Sequence, residues 1–109
     1  MSTRREVFDD LVLDSADRIQ PALARARAEI EFAVEEVPPS DPAPWEDDLA
    51  PLARVIPGNA STPHRIVVYR RGIESRTANE RELAALIHEV VVEQVSVLLD
   101  VPPEEIDPT

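Results

Sequence analysis

One pair of neighbours in this 109-residue chain has the residue types for hydrolytic chemistry: His88-Glu89. In the pattern His-Glu-x-x-His on a helix, two imidazoles one turn apart hold a metal ion. The glutamate then takes a proton from the metal-bound water. Here the pair continues as Val90-Val91-Val92, so valine stands where the second imidazole belongs. A bare His-Glu pair also arises by chance in many helices. The ordinary reading of His88 is a partly buried ring hydrogen-bonded to a backbone carbonyl or a carboxylate, and that of Glu89 is a solvated helix residue. Glu93 falls ~140° around a helix from His88 and cannot share a metal with it. The other histidine, His64, precedes a strand; with His88 and a loop aspartate, Asp47 or Asp48, it gives at most a two-histidine site. Structural zinc takes four ligands, and no four stand out.

The element that must position the pair runs from Thr77 to Asp100. Thr77 followed by Glu80 has the spacing of a capping box. Leu83, Leu86, Ile87, Val90, Val91, Val97 and Leu98 then form one apolar stripe, with His88, Val92, Val95 and Leu99 on a narrower one beside it. The valines favour strands, but length without Gly or Pro, together with the cap, decides for a helix. So apolar a helix is buried or covers a partner.

Earlier in the chain, Phe8, Leu11, Val12, Ala16 and Ile19 place an amphipathic helix over residues 5–20, and Pro21 suits the first turn of a second helix ending near Ala28. The stretch 29–37 alternates, with Ile30, Phe32 and Val34 on one face, as a half-buried strand does. Residues 38–51 are rich in proline and read as a long surface loop, pinned to the core by Trp45. Two more strands are expected at 52–56 and 65–70, the second with the Tyr69 hydroxyl at the surface. Arg71-Gly72 then breaks the strand. Residues 101–106 read as a turn or one-turn helix. The order helix, helix, strand, strand, strand, helix points to a small α+β fold occupying 1–109 as one domain, its strands too closely connected for a parallel sheet with crossover helices.

Composition narrows the function classes. Twenty-two acidic residues against 11 basic ones give a net charge of -11, which repels phosphate backbones and argues against nucleic acid. The absence of cysteine excludes disulfides and thiolate zinc sites and fits a reducing cytoplasm. No signal peptide and no apolar run of the ~20 residues that span a bilayer is visible.

Several segments agree, in order and spacing, with a known family. The strand EIEFAVEEVP, the segment RIVVYRRGIES, the helix LAALIHEVVVEQVSVLLD and the tail Val101-Pro102-Pro103-Glu104-Glu105-Ile106-Asp107-Pro108 resemble the minimal zincins, predicted zinc metallopeptidases. They look closest to an actinobacterial-type branch. The resemblance implies a three-stranded sheet packed on helices with a long C-terminal helix bearing the His-Glu pair. It also implies the motif HExxHxxGxxD, two histidines and an aspartate binding zinc and the glutamate acting as base. His88 matches the first ligand and Glu89 the base, whereas Val92, Val95 and Leu98 stand at the second histidine, the glycine and the aspartate. Asp100 comes two positions late. Without the glycine turn the helix is expected to run on to Leu99.

Two functional readings follow from the resemblance. One is a zincin-like domain that has lost zinc binding and peptidase activity, needs no cofactor, and acts as a structural or protein-binding module, docking a protein or peptide partner or a second copy of itself. The other is a zinc-dependent metallopeptidase with an unorthodox ligand set built on His88, with Glu89 as its catalytic base. A helical contact module in a regulatory pair is a third.

Overall fold

The computed structural model describes residues 3–39 and 51–108. Most of the proline-rich stretch, with Trp45, Asp47 and Asp48, lies outside the described residues. Helices α1 (Arg4–Arg18) and α2 (Gln20–Ala26) lead into strand β1 (Ile30–Glu35). Strands β2 (Ala53–Ile56) and β3 (His64–Tyr69) follow, then α3 (Arg70–Glu74), α4 (Glu80–Leu99) and α5 (Pro103–Ile106). Among the described residues no helix is long and apolar enough to cross a membrane.

The α+β class is as expected, with helices laid on a small three-stranded sheet, but the sheet is mixed. Its order is β1-β3-β2. β3 runs parallel to β1, Ile30 opposite His64 through Glu35 opposite Tyr69, and antiparallel to β2, Ala53 opposite Val68 through Ile56 opposite Arg65. The expectation excluded a parallel sheet with crossover helices; the sheet is mixed, with one parallel and one antiparallel pair among its three strands. A parallel pair needs a connection of a dozen or more residues; residues 36–63, which include β2, supply that length. The return from β2 into β3 turns at Gly58, where a Cβ would meet the Thr62 carbonyl oxygen at 2.2 Å.

Central β3 is buried on both faces. Ile66 and Val68 join the main core, and Val67 and Tyr69 point the other way. Tyr69 is 2 % exposed, not a surface phenol, and burial pushes its pKa up. Against the inner face lie Phe8 and Val12 of α1, Ile19 at the α1–α2 junction, and Leu83, Ile87, Val90, Val91 and Val95 of α4. The two expected stripes of α4 merge into one broad buried face, from which Val97 departs, 70 % exposed.

α4 does run to Leu99, where Asp100 takes the left-handed conformation, φ 54°. The Val101 N–H reaches the Ser96 carbonyl at 3.2 Å and the Asp100 N–H reaches that of Val97 at 3.3 Å, a Schellman-type close that folds the chain back on the helix. The start of α4 lies two residues later than the Thr77–Glu80 box. The Asn79 side chain accepts the Glu82 N–H at 2.9 Å, and Glu82 reaches back to the Ala78 N–H at 3.0 Å. Thr77 instead closes the end of α3, its hydroxyl donating to the Glu74 carbonyl at 3.3 Å. α3 itself stands where Arg71-Gly72 was expected only to break the strand. Ile73, fully buried, and the Arg70–Glu74 ion pair at 2.6 Å outweigh one glycine.

A charge cluster ties α1, β1 and α3 together. Glu36 accepts from Arg70, from Arg5 at 2.8 Å and from Arg71 at 3.5 Å. The hydrogen bond from Arg70, with Arg5 adding to it, lowers the Glu36 pKa from 4.5 to about 2. A carboxylate with a depressed folded-state pKa stabilises above its unfolded pKa, and that contribution disappears as pH falls toward the folded value. The window is therefore from 4.5 down to about 2. Across it the urea midpoint of the wild type is expected to drop more steeply than that of Glu36→Gln; parallel curves would remove Glu36 from the acid response. For the helix start, Asn79→Ala is expected to cost about 1 kcal/mol in urea unfolding and Thr77→Ala clearly less.

Candidate functional site

His88 sits midway along α4, on the side that meets α1 and the returning tail, and its ring is engaged at both nitrogens. Nδ1 lies 2.7 Å from Ser15 Oγ of α1, and Nε2 lies 2.5 Å from Asp107 Oδ2, just past α5. Asp107 is also 3.0 Å from Arg18 Nε, again from α1. A carboxylate only accepts, so with a neutral ring Nε2–H donates to Asp107, and Nδ1 accepts the Ser15 hydroxyl proton. Three elements remote in sequence meet at this ring. The side chains of His88 and Asp107 are 19 % and 9 % exposed, and Arg18, 54 % exposed, closes the chain of bonds at the surface.

Each member is placed by local sequence. Ser15 falls at helical spacing from Phe8, Val12 and Ile19, so the packing that buries those three buries its hydroxyl as well. Arg18 follows almost one turn later, on the rim of the same face. Asp107 is delivered by the Asp100 turn and by Pro102-Pro103, which end α4 and open α5 with a fixed φ. Ile106 is buried against the core and anchors the tail next to Asp107.

The order of bonds, hydroxyl to imidazole to carboxylate, is that of an activated-serine triad. Access decides against that chemistry. Ser15 is 5 % exposed and does not line the cleft beside His88, so its oxygen meets no substrate. The array instead holds the ring in a fixed orientation and ties the tail to the helices.

The cleft beside the ring, about 530 Å³, lies between α4 and α5. His88, Glu89, Val92 and Glu93 line it from α4; Pro103, Glu104, Asp107 and Pro108 line it from the tail. His88 and Glu89 thus share one cavity, and Glu93, one turn after Glu89, faces it too. His64 is not brought in: its Nδ1 accepts the Gly58 N–H at 2.9 Å in the turn that leads into β3. Ser15, Arg18 and Asp107 are the members that sequence reasoning misses. The available signals were a serine at an apolar position of α1 and the aspartate of the tail Ile106-Asp107-Pro108.

The fold thus sets a mid-helix His-Glu pair beside a small mixed sheet, at the edge of a cleft. Comparison with known families makes the class specific: the family described as Zincin-like metallopeptidase matches residues 27–109, and the chain belongs to that family. No curated protein matches the chain. The match begins after α2, so Ser15 and Arg18 come from outside it.

The family's name implies zinc, and among the described residues the side chains around His88 do not fit one. Both ring nitrogens already have partners inside the chain. Val92, where the second imidazole would stand, is 9 % exposed and packs in the core, and Val95 is fully buried. Among the described residues no three His, Cys, Asp or Glu side chains are grouped to hold a metal ion.

If the ring and the tail are one unit, His88→Ala and Asp107→Ala must be non-additive. A double-mutant cycle by urea unfolding is expected to give a coupling of about 1–3 kcal/mol. Additive losses would mean that the tail is held by Ile106 alone.

Proposed function

We propose that this member of the zincin-like family does not build the hydrolytic zinc centre and works as a protein-binding module. The observation that supports this most directly is the satisfied imidazole. A ligating histidine presents one nitrogen to the metal and steadies the other with a carboxylate or carbonyl. Here Asp107 takes one nitrogen of His88 and Ser15 takes the other. To bind a metal, His88 would have to give up a hydrogen bond within a partly buried network, and its neighbour one turn on offers a methyl group instead of a nitrogen.

The apolar replacements support the same reading. Val92 and Val95 extend the core up to the cleft, so the helix gains packing where a metal centre would need open coordination positions. Glu89 remains exposed at the cleft, in the position of a base with no metal-bound water to act on.

Elemental analysis of protein produced in zinc-containing medium tests the proposal. The expected result is no stoichiometric zinc and no change in melting temperature on adding a chelator. One tightly held zinc per chain, lost in His88→Ala, together with peptide hydrolysis abolished by Glu89→Gln, would establish the metallopeptidase reading instead.

A further inference from the structure

We infer that the cleft between α4 and α5 takes an arginine- or lysine-bearing segment of a partner polypeptide, its aliphatic stem on the cleft floor and its cationic head among the carboxylates. The inference rests on the binding-module reading and names the kind of partner. The floor is apolar, formed by Val92, Pro103 and Pro108, and the rim carries Glu89, Glu93 and Glu104, all exposed. None of these three glutamates has a hydrogen-bond or ion-pair partner among the described residues. The fourth carboxylate, Asp107, is different, because Arg18 and His88 hold it.

Glu89 and Glu93 are one helical turn apart, a like-charge pair that repels itself across the cleft mouth. A cation seated between them and Glu104 relieves that repulsion. An inner-sphere metal ion is a poor occupant, since no three such groups among the described residues are grouped to hold one. A long side chain suits the shape better: Lys and Arg lay their methylenes on apolar surface while the charged head stays in contact with water and carboxylates. The volume, about 530 Å³, is of the size that binds ligands. The net charge of -11 draws basic segments toward the whole surface, and the cleft gives them somewhere specific to stop.

The test uses the full chain and a fluorescein-labelled peptide of alternating arginine and leucine, followed by anisotropy, with a glutamate-leucine peptide as control. The triple variant Glu89→Gln, Glu93→Gln, Glu104→Gln removes the rim charges. The triple variant Asp10→Asn, Glu29→Gln, Glu31→Gln removes equal charge elsewhere on the exposed surface. Circular dichroism checks that both stay folded. The expected result is saturable binding of the basic peptide alone, weakened at least about tenfold by the rim variant and much less by the surface variant. Equal weakening by the two variants, or no saturable binding by the wild type, overturns the inference. Mass spectrometry of the peptide after incubation separates this outcome from the underlying reading: chelator-sensitive cleavage contradicts the inactive module while leaving the cleft as the binding site.

Discussion

The hydrogen-bonded run from Ser15 through His88 to Asp107 and Arg18 fixes how the helices and the tail meet. Phe8, Val12 and Ile19 hold α1 in the core through contacts that are mostly non-directional. A hydrogen bond has a direction and a length, and breaking the one at Ser15, 5 % exposed, leaves a polar atom with little water to replace its partner. With both ring nitrogens committed, the ring selects one position of α1 and one path for the tail.

The same run of bonds shapes the cleft. Asp107 pulls the segment after α5 toward α4, and the Schellman-type turn at Asp100 sets the distance at which α5 crosses back. The cavity is therefore a consequence of the tail being latched at His88, and its acidic rim of what the sequence places on the two facing elements. In the zincin-like family, a histidine in this position followed by glutamate would be expected to serve a metal. In this chain Ser15 and Asp107 hydrogen-bond the ring, and α1, which lies outside the family match, supplies two of the four members of the run.

Much of the architecture was legible in the sequence because it depends on local pattern. Phe8, Val12 and Ile19 announced α1, the uninterrupted stretch from Thr77 to Asp100 announced α4, and the β-branched run Ile66-Val67-Val68 announced β3. Errors arose where distant parts of the chain decide. The Thr77–Glu80 and Asn79–Glu82 pairs obey the same capping rule, and only the end of α3 at Thr77 selects between them. Gly72 looked like a break because its neighbour Ile73 has no visible partner until the helices are packed. Parallel pairing of β1 with β3 is set by a connection whose path no local pattern records. The site follows the same division. His88 and Glu89 stood out by type and spacing, and a backbone carbonyl or a carboxylate was the expected partner for the ring; that it is Asp107, with Ser15 opposite, depends on a meeting of elements far apart in sequence.

The central claim is that His88 is occupied at both nitrogens within the chain. Long-range proton–nitrogen NMR of the His88 ring, recorded at neutral pH before and after adding stoichiometric zinc, tests it most directly. The expected spectrum shows Nε2 protonated and both ring nitrogens hydrogen-bonded, and does not change with zinc. Loss of the Nε2 proton, or a metal-dependent shift of either ring nitrogen, would contradict the account.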